Sequence, residues 1–162
     1  MRTFALSLVA LAASATAAAA SPASVVVNLS PELQAKAEHT YGVRDIRDLA
    51  VDLQTAVARE TAKTGAYDGA RIVLELADVR PNRPTFKQMA DNPSLSYSSF
   101  STGGADIQGH AVMPNGQVVP LSYSYFETDI RLAPFGGTWS DAELTFDRFA
   151  SRLARGKQTA SR

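Results

Sequence analysis

Residues 70–80 read Ala-Arg-Ile-Val-Leu-Glu-Leu-Ala-Asp-Val-Arg, and they constrain the fold more than any other stretch. Ile72, Leu74 and Leu76 fall at alternate positions, with Arg71, Glu75 and Ala77 between them. A period of two describes a β-strand that turns one face to a core and leaves the other largely to solvent. The chain before this strand is patterned for helices. The chain after it is patterned for a hairpin and a last helix.

Upstream, Val25, Val26 and Val27 form a β-branched run that predicts a first strand. Ser30-Pro31-Glu32 then offers a capping residue, a proline for the first helical position and a first-turn acid. The short helix so begun should reach about Glu38 and end at Tyr41-Gly42. Asp45 is placed to cap the next helix, whose stripe is Ile46, Leu49, Ala50, Leu53, Ala56 and Val57. Gly65 lies where a left-handed residue commonly ends a helix. If the first strand pairs in parallel with the central one, the unit is a crossover, for which a right-handed turn is expected.

Downstream, Pro81-Asn82-Arg83-Pro84 ends regular pairing, and residues 81–104 show no sustained period. Residues 85–91 can hold one helical turn. Leu95, Tyr97 and Phe100 are apolar enough that part of this segment should pack on the body. In the hairpin that follows, Ala105, Ile107, Gly109, Ala111 and Met113 alternate with polar residues, as do Val119, Leu121, Tyr123 and Tyr125. A two-residue Asn115-Gly116 turn would set apolar against polar along the ladder. A three-residue Pro114-Asn115-Gly116 loop instead places Ala111 opposite Val119 and Ile107 opposite Tyr123, and this register is expected. Pro120 places the second hairpin strand at an edge or on a bulge. Ser140 and Glu143 have capping-box spacing ahead of a stripe of Trp139, Ala142, Phe146, Phe149, Ala150 and Leu153, and Gly156 closes that helix.

These elements predict an α+β fold, a two-layer sandwich in which about four strands carry two main helices on one face. Residues 21–156 are expected to form a single domain and residues 157–162 a polar tail. Residues 1–20 read as a signal peptide: Arg2, an apolar run over residues 4–13, then Ala18-Ala19-Ala20 before Ser21. The apolar run is shorter than the roughly 20 residues that span a bilayer, so a periplasmic or secreted location without a stable membrane anchor is expected.

The chain has no cysteine, which removes disulfides, thiolate ligands, a cysteine nucleophile and a lipidated cysteine. Lys plus Arg and Asp plus Glu both number 16, so no global field favours nucleic acid. No Gly-x-Ser-x-Gly elbow, His-Glu-x-x-His pair, phosphate-cradling glycine loop or calcium-loop pattern occurs. His39 and His110 would need carboxylates such as Asp106 or Asp129 to hold a metal, and they read more simply as solvated side chains. No cofactor is expected. The most distinctive polar stretch is residues 78–84, where Arg80, Asn82 and Arg83 surround a proline turn at the end of the central strand. They suit an anion or partner contact, or a plain turn whose arginines pair with Asp78 or Asp91. Tyr97 and Phe100, in a serine-rich loop, suit an aromatic partner contact.

The order of an export signal, a helix opened by Tyr41-Gly42-Val43-Arg44-Asp45, a strand ending Asp-Val-Arg-Pro-Asn-Arg-Pro, a glycine-tipped hairpin and a closing amphipathic helix resembles a group of small exported bacterial envelope proteins, many of them lipoproteins. The lipidated cysteine of that group is absent. The resemblance implies an exported α+β domain and no particular activity. Two functions are therefore expected to compete. One is a non-enzymatic module that binds an envelope or secreted protein partner, with self-association through an edge strand as one form. The other is a small-molecule binder or hydrolytic enzyme with a site between the 81–104 loop and the sheet, using Arg80, Arg83, Tyr97, Asp106 and His110.

Overall fold

The computed structural model describes residues 23–156. The export segment expected over residues 1–20 and the tail at 157–162 lie outside the described residues. Four strands, β1 (Ser24–Leu29), β2 (Arg71–Arg80), β3 (Gly104–Val112) and β4 (Val118–Phe126), form one sheet in the order β1-β2-β3-β4. β1 runs parallel to β2, and the other neighbours are antiparallel. Helices α1 (Pro31–Lys36), α2 (Val43–Thr64), α3 (Phe86–Asp91) and α4 (Ser140–Ala154) complete the α+β architecture, with a π-helical turn at Ala37–Tyr41 and a 3-10 turn at Ile130–Phe135.

α2 and α4 pack against each other and across one sheet face. Ile72, Leu74 and Leu76 of β2 share one core with Ile107 of β3 and Phe146, Phe149 and Leu153 of α4, all fully buried. Tyr123 stacks on Phe149 at 6.3 Å between ring centroids. On the opposite sheet face Val26, Glu75, Gln108, His110 and Val118 are exposed.

The local devices follow the sequence closely. Ser30 Oγ accepts from the Leu33 amide as N-cap of α1, with Pro31 at the first helical position. Gly65 ends α2 at φ 65°, and Gly156 follows α4 at φ 65°. The hairpin has the expected three-residue loop: the Met113 amide donates to the Gln117 carbonyl at 2.8 Å, and Ala111 opposes Val119 while Ile107 opposes Tyr123.

Three local expectations are corrected. α2 begins at Val43 with Gly42 at the cap (φ 104°), so Asp45 lies inside the first turn rather than before it. The π-helical turn sets this earlier start. Ser140 does not build a capping box; its Oγ accepts from the Gly137 amide at 2.6 Å, and Trp139 occupies the cap position. β2 is also not a plain alternation. Its register shifts between Leu76 and Asp78, which returns Val79 to the core and turns Asp78 to the open face. The Ser30 hydroxyl donates to the Ala77 carbonyl at this bulge.

Candidate functional site

The 81–104 segment is tied down by one buried amide. Asn82 is 1% exposed. Its Nδ2 donates to Asp141 Oδ2 at 2.6 Å, its Oδ1 accepts from the Asp141 amide at 2.9 Å, and its own amide donates to the Thr138 carbonyl. Asp141 Oδ2 also accepts from the Gly103 amide at 2.8 Å. Both ends of the loop are thus latched to the first turn of α4. Gly103 is required at this point, because a Cβ there would meet Asn82 Oδ1 at 2.6 Å and the Arg80 carbonyl at 2.7 Å.

Arg83 reinforces the latch. Its Nε donates to the Gly136 carbonyl and its Nη1 to the Tyr97 carbonyl, both at 2.7 Å, and its guanidinium lies 5.1 Å from the Tyr97 ring centre. Arg80 lies 4.9 Å from the Phe126 ring centre. The acids expected to pair with these arginines are engaged elsewhere, Asp78 by Lys36 and Asp91 by Lys87.

The latched loop leaves a groove of about 220 Å³ against the helical layer. Its floor is α2, where Asp45, Asp48 and Asp52 recur at steps of three and four and therefore share one face. Glu143 faces them from α4. Thr85 and Gln88 cap α3 reciprocally, Gln88 N–H to Thr85 Oγ1 and Thr85 N–H to Gln88 Oε1. That one-turn helix presents Phe86, 83% exposed, and Met89 at the rim. Tyr97, 57% exposed, and the half-buried Trp139 complete the wall, and Tyr41 meets Trp139 edge-to-face at 5.7 Å.

The groove is strongly anionic. Asp48 has a loose, exposed contact with Arg44 at 3.7 Å, a pair worth little in water. Asp45 and Asp52 have no ion pair among the described residues. Partial burial, followed by the charges of Asp52 and Asp147, holds the Glu143 carboxyl above the usual carboxylate range. Such a surface attracts a cation, and its aromatic rim offers ring faces to the same group.

The other expected site residues do not converge here. Asp106 and His110 lie on the open sheet face, opposite Asp78 and Val73 respectively. Phe100 is 47% exposed in the loop and does not line the groove. Asn82 is structural, and Tyr97 alone of the expected set lines the groove. The cleft beside the loop opens against the helices instead of the sheet. Among the described residues no three His, Asp or Glu side chains gather to hold a metal, and no helix is long and apolar enough to cross a membrane. The acidic row was visible as Asp45, Asp48 and Asp52 at helical spacing; Glu143 joins it only through tertiary packing. No family model matches the chain, and no curated protein matches it.

Proposed function

We propose that this protein is an exported, non-enzymatic module that binds a protein partner, and that the groove is its recognition surface. The observation that carries this reading is an exposed aromatic, Phe86, beside a row of carboxylates that lack strong partners. An exposed aromatic ring of this size is a characteristic anchor of protein interfaces. Weakly paired acids beside it select a basic segment and speed its approach. A volume of about 220 Å³ suits side chains projected from a partner's surface. Pockets that enclose a small-molecule ligand run to roughly 300–1,000 Å³.

The test is fluorescence anisotropy with labelled peptides of matched length, one set rich in Lys, Arg and Leu and one rich in Asp and Glu. The basic set should bind, and added salt should weaken it. Reversing Asp48→Lys together with Asp52→Lys should cost about tenfold in affinity, roughly 1.4 kcal/mol. Equal binding of both peptide sets, or affinity unchanged in the double variant, would overturn the reading.

A further inference from the structure

A second surface of opposite character lies at the other end of α4. Arg148, Arg152 and Arg155 recur at steps of four and three, which places them on one face of the helix. They border an open depression of about 780 Å³ lined also by Tyr123 and Tyr125 of β4 and by Asp147 and Ser151 of α4. Two of the three guanidiniums are seated on rings. Arg148 lies 4.3 Å from the Tyr125 ring centre and Arg152 lies 4.9 Å from that of Tyr123. All three arginines are solvent-exposed, and none has a carboxylate partner among the described residues.

The nearby acids are already occupied. Asp147 accepts from Arg59 Nη2 at 3.1 Å. Glu127 accepts from the Tyr125 hydroxyl at 2.6 Å and from the Thr128 and Asp129 amides. Those bonds hold Tyr125 in place under Arg148, and the stack on Phe149 does the same for Tyr123 under Arg152.

We propose that this depression is an anion site for a phosphate group, independent of the acidic groove. A guanidinium resting over an aromatic ring is held without an acidic partner, and its planar set of donors matches phosphate oxygens. Stacking lowers the ordering cost on binding, since the side chain is already held. Arginines near a helix C-terminus also favour the helix by meeting its partial negative charge. That role explains neither the tyrosine beneath each of two arginines nor Arg148, which lies well before the last turn. The even charge balance of the whole chain conceals the separation of acids and arginines into two surfaces.

The phosphate can be a free anion or a lipid headgroup, and the experiment distinguishes them. The protein is titrated with sodium phosphate against sodium chloride at matched ionic strength, with the arginine Nε–H signals followed by NMR. It is also co-sedimented with phosphatidylcholine vesicles with and without phosphatidylglycerol. Movement of the Arg148, Arg152 and Arg155 signals with phosphate alone supports a free anion. Sedimentation only with the phosphatidylglycerol vesicles supports a headgroup. Each guanidinium removed, in Arg152→Gln and in Arg155→Gln, should cost about tenfold in affinity, the scale of one hydrogen bond to a charged group. Among the described residues Arg155 stacks on no ring, so its variant keeps the fold if Arg152→Gln does not. Signals that ignore phosphate together with no preference for anionic vesicles would overturn the proposal, as would binding undiminished in the folded variants.

Discussion

At the scale of single residues, two side chains carry most of the consequence. Asn82 satisfies main-chain and carboxylate groups from three segments at once. Asn82→Ala should lower stability by about 2–4 kcal/mol in chemical denaturation, because buried partners are left unpaired. Glu143 acts in the opposite sense. Its carboxyl is held above the usual range by burial and by Asp52 and Asp147. A carboxyl raised in the folded state contributes stability that is fully present at low pH and is lost as pH rises through the raised value. Glu143→Gln should therefore be more stable than the wild type at neutral pH, with the difference vanishing in acid; melts across pH will show this. A variant equally or less stable at neutral pH would contradict that assignment. A basic ligand beside Glu143 favours the ionised form, so its affinity should increase as pH rises through the same range.

At the scale of elements, the pattern of apolar residues was sufficient wherever neighbours in sequence are also neighbours in space. The hairpin shows this most clearly. Matching Ala111 with Val119 and Ile107 with Tyr123 selected the three-residue loop over the commoner turn, and the ladder has that register. Gly116 sits there at φ 84°, so Gly116→Ala should cost about 1 kcal/mol without moving the cross-strand contacts seen by NMR. Phe149, from the α4 stripe, is fully buried under Tyr123, and Phe149→Ala should cost about 3–5 kcal/mol. Helix starts were less readable. Asp45 and Ser140 both looked like caps, but a left-handed Gly42 and a bond from Gly137 decide where α2 and α4 begin. The Asn82–Asp141 latch joins residues 59 apart in the chain, and no local pattern marks such a pairing. The candidate site was hidden for the same reason. Its aspartates share one helix, whereas Glu143, Phe86 and Trp139 arrive from elements that only the tertiary fold brings beside them.

At the scale of the whole molecule, a chain with equal numbers of acids and bases separates its charge across the helical layer. The acidic groove lies where α2, the latched loop and the start of α4 meet, and the arginine shelf lies along the later turns of α4. The β4 edge is less inviting. The Glu127 amide donates to the Gly103 carbonyl and the Met113 amide to the Gln117 carbonyl, so odd-numbered β4 residues bond inward and Pro120 falls on the outward-facing set. A proline there removes one main-chain donor that this edge would offer to an added strand. Phe86→Ala, at a residue 83% exposed, should change stability by less than about 0.5 kcal/mol. The same change should weaken a groove-bound partner by about 1–2 kcal/mol. The most direct measurement is a backbone-amide NMR titration of the protein with a peptide rich in Lys, Arg and Leu. Signals of Asp45, Asp48, Asp52, Phe86 and Glu143 should move together and saturate, while those of Val73, His110 and Val118 stay still. Movement confined to the open sheet face, or no saturable movement anywhere, would contradict the groove as the recognition surface.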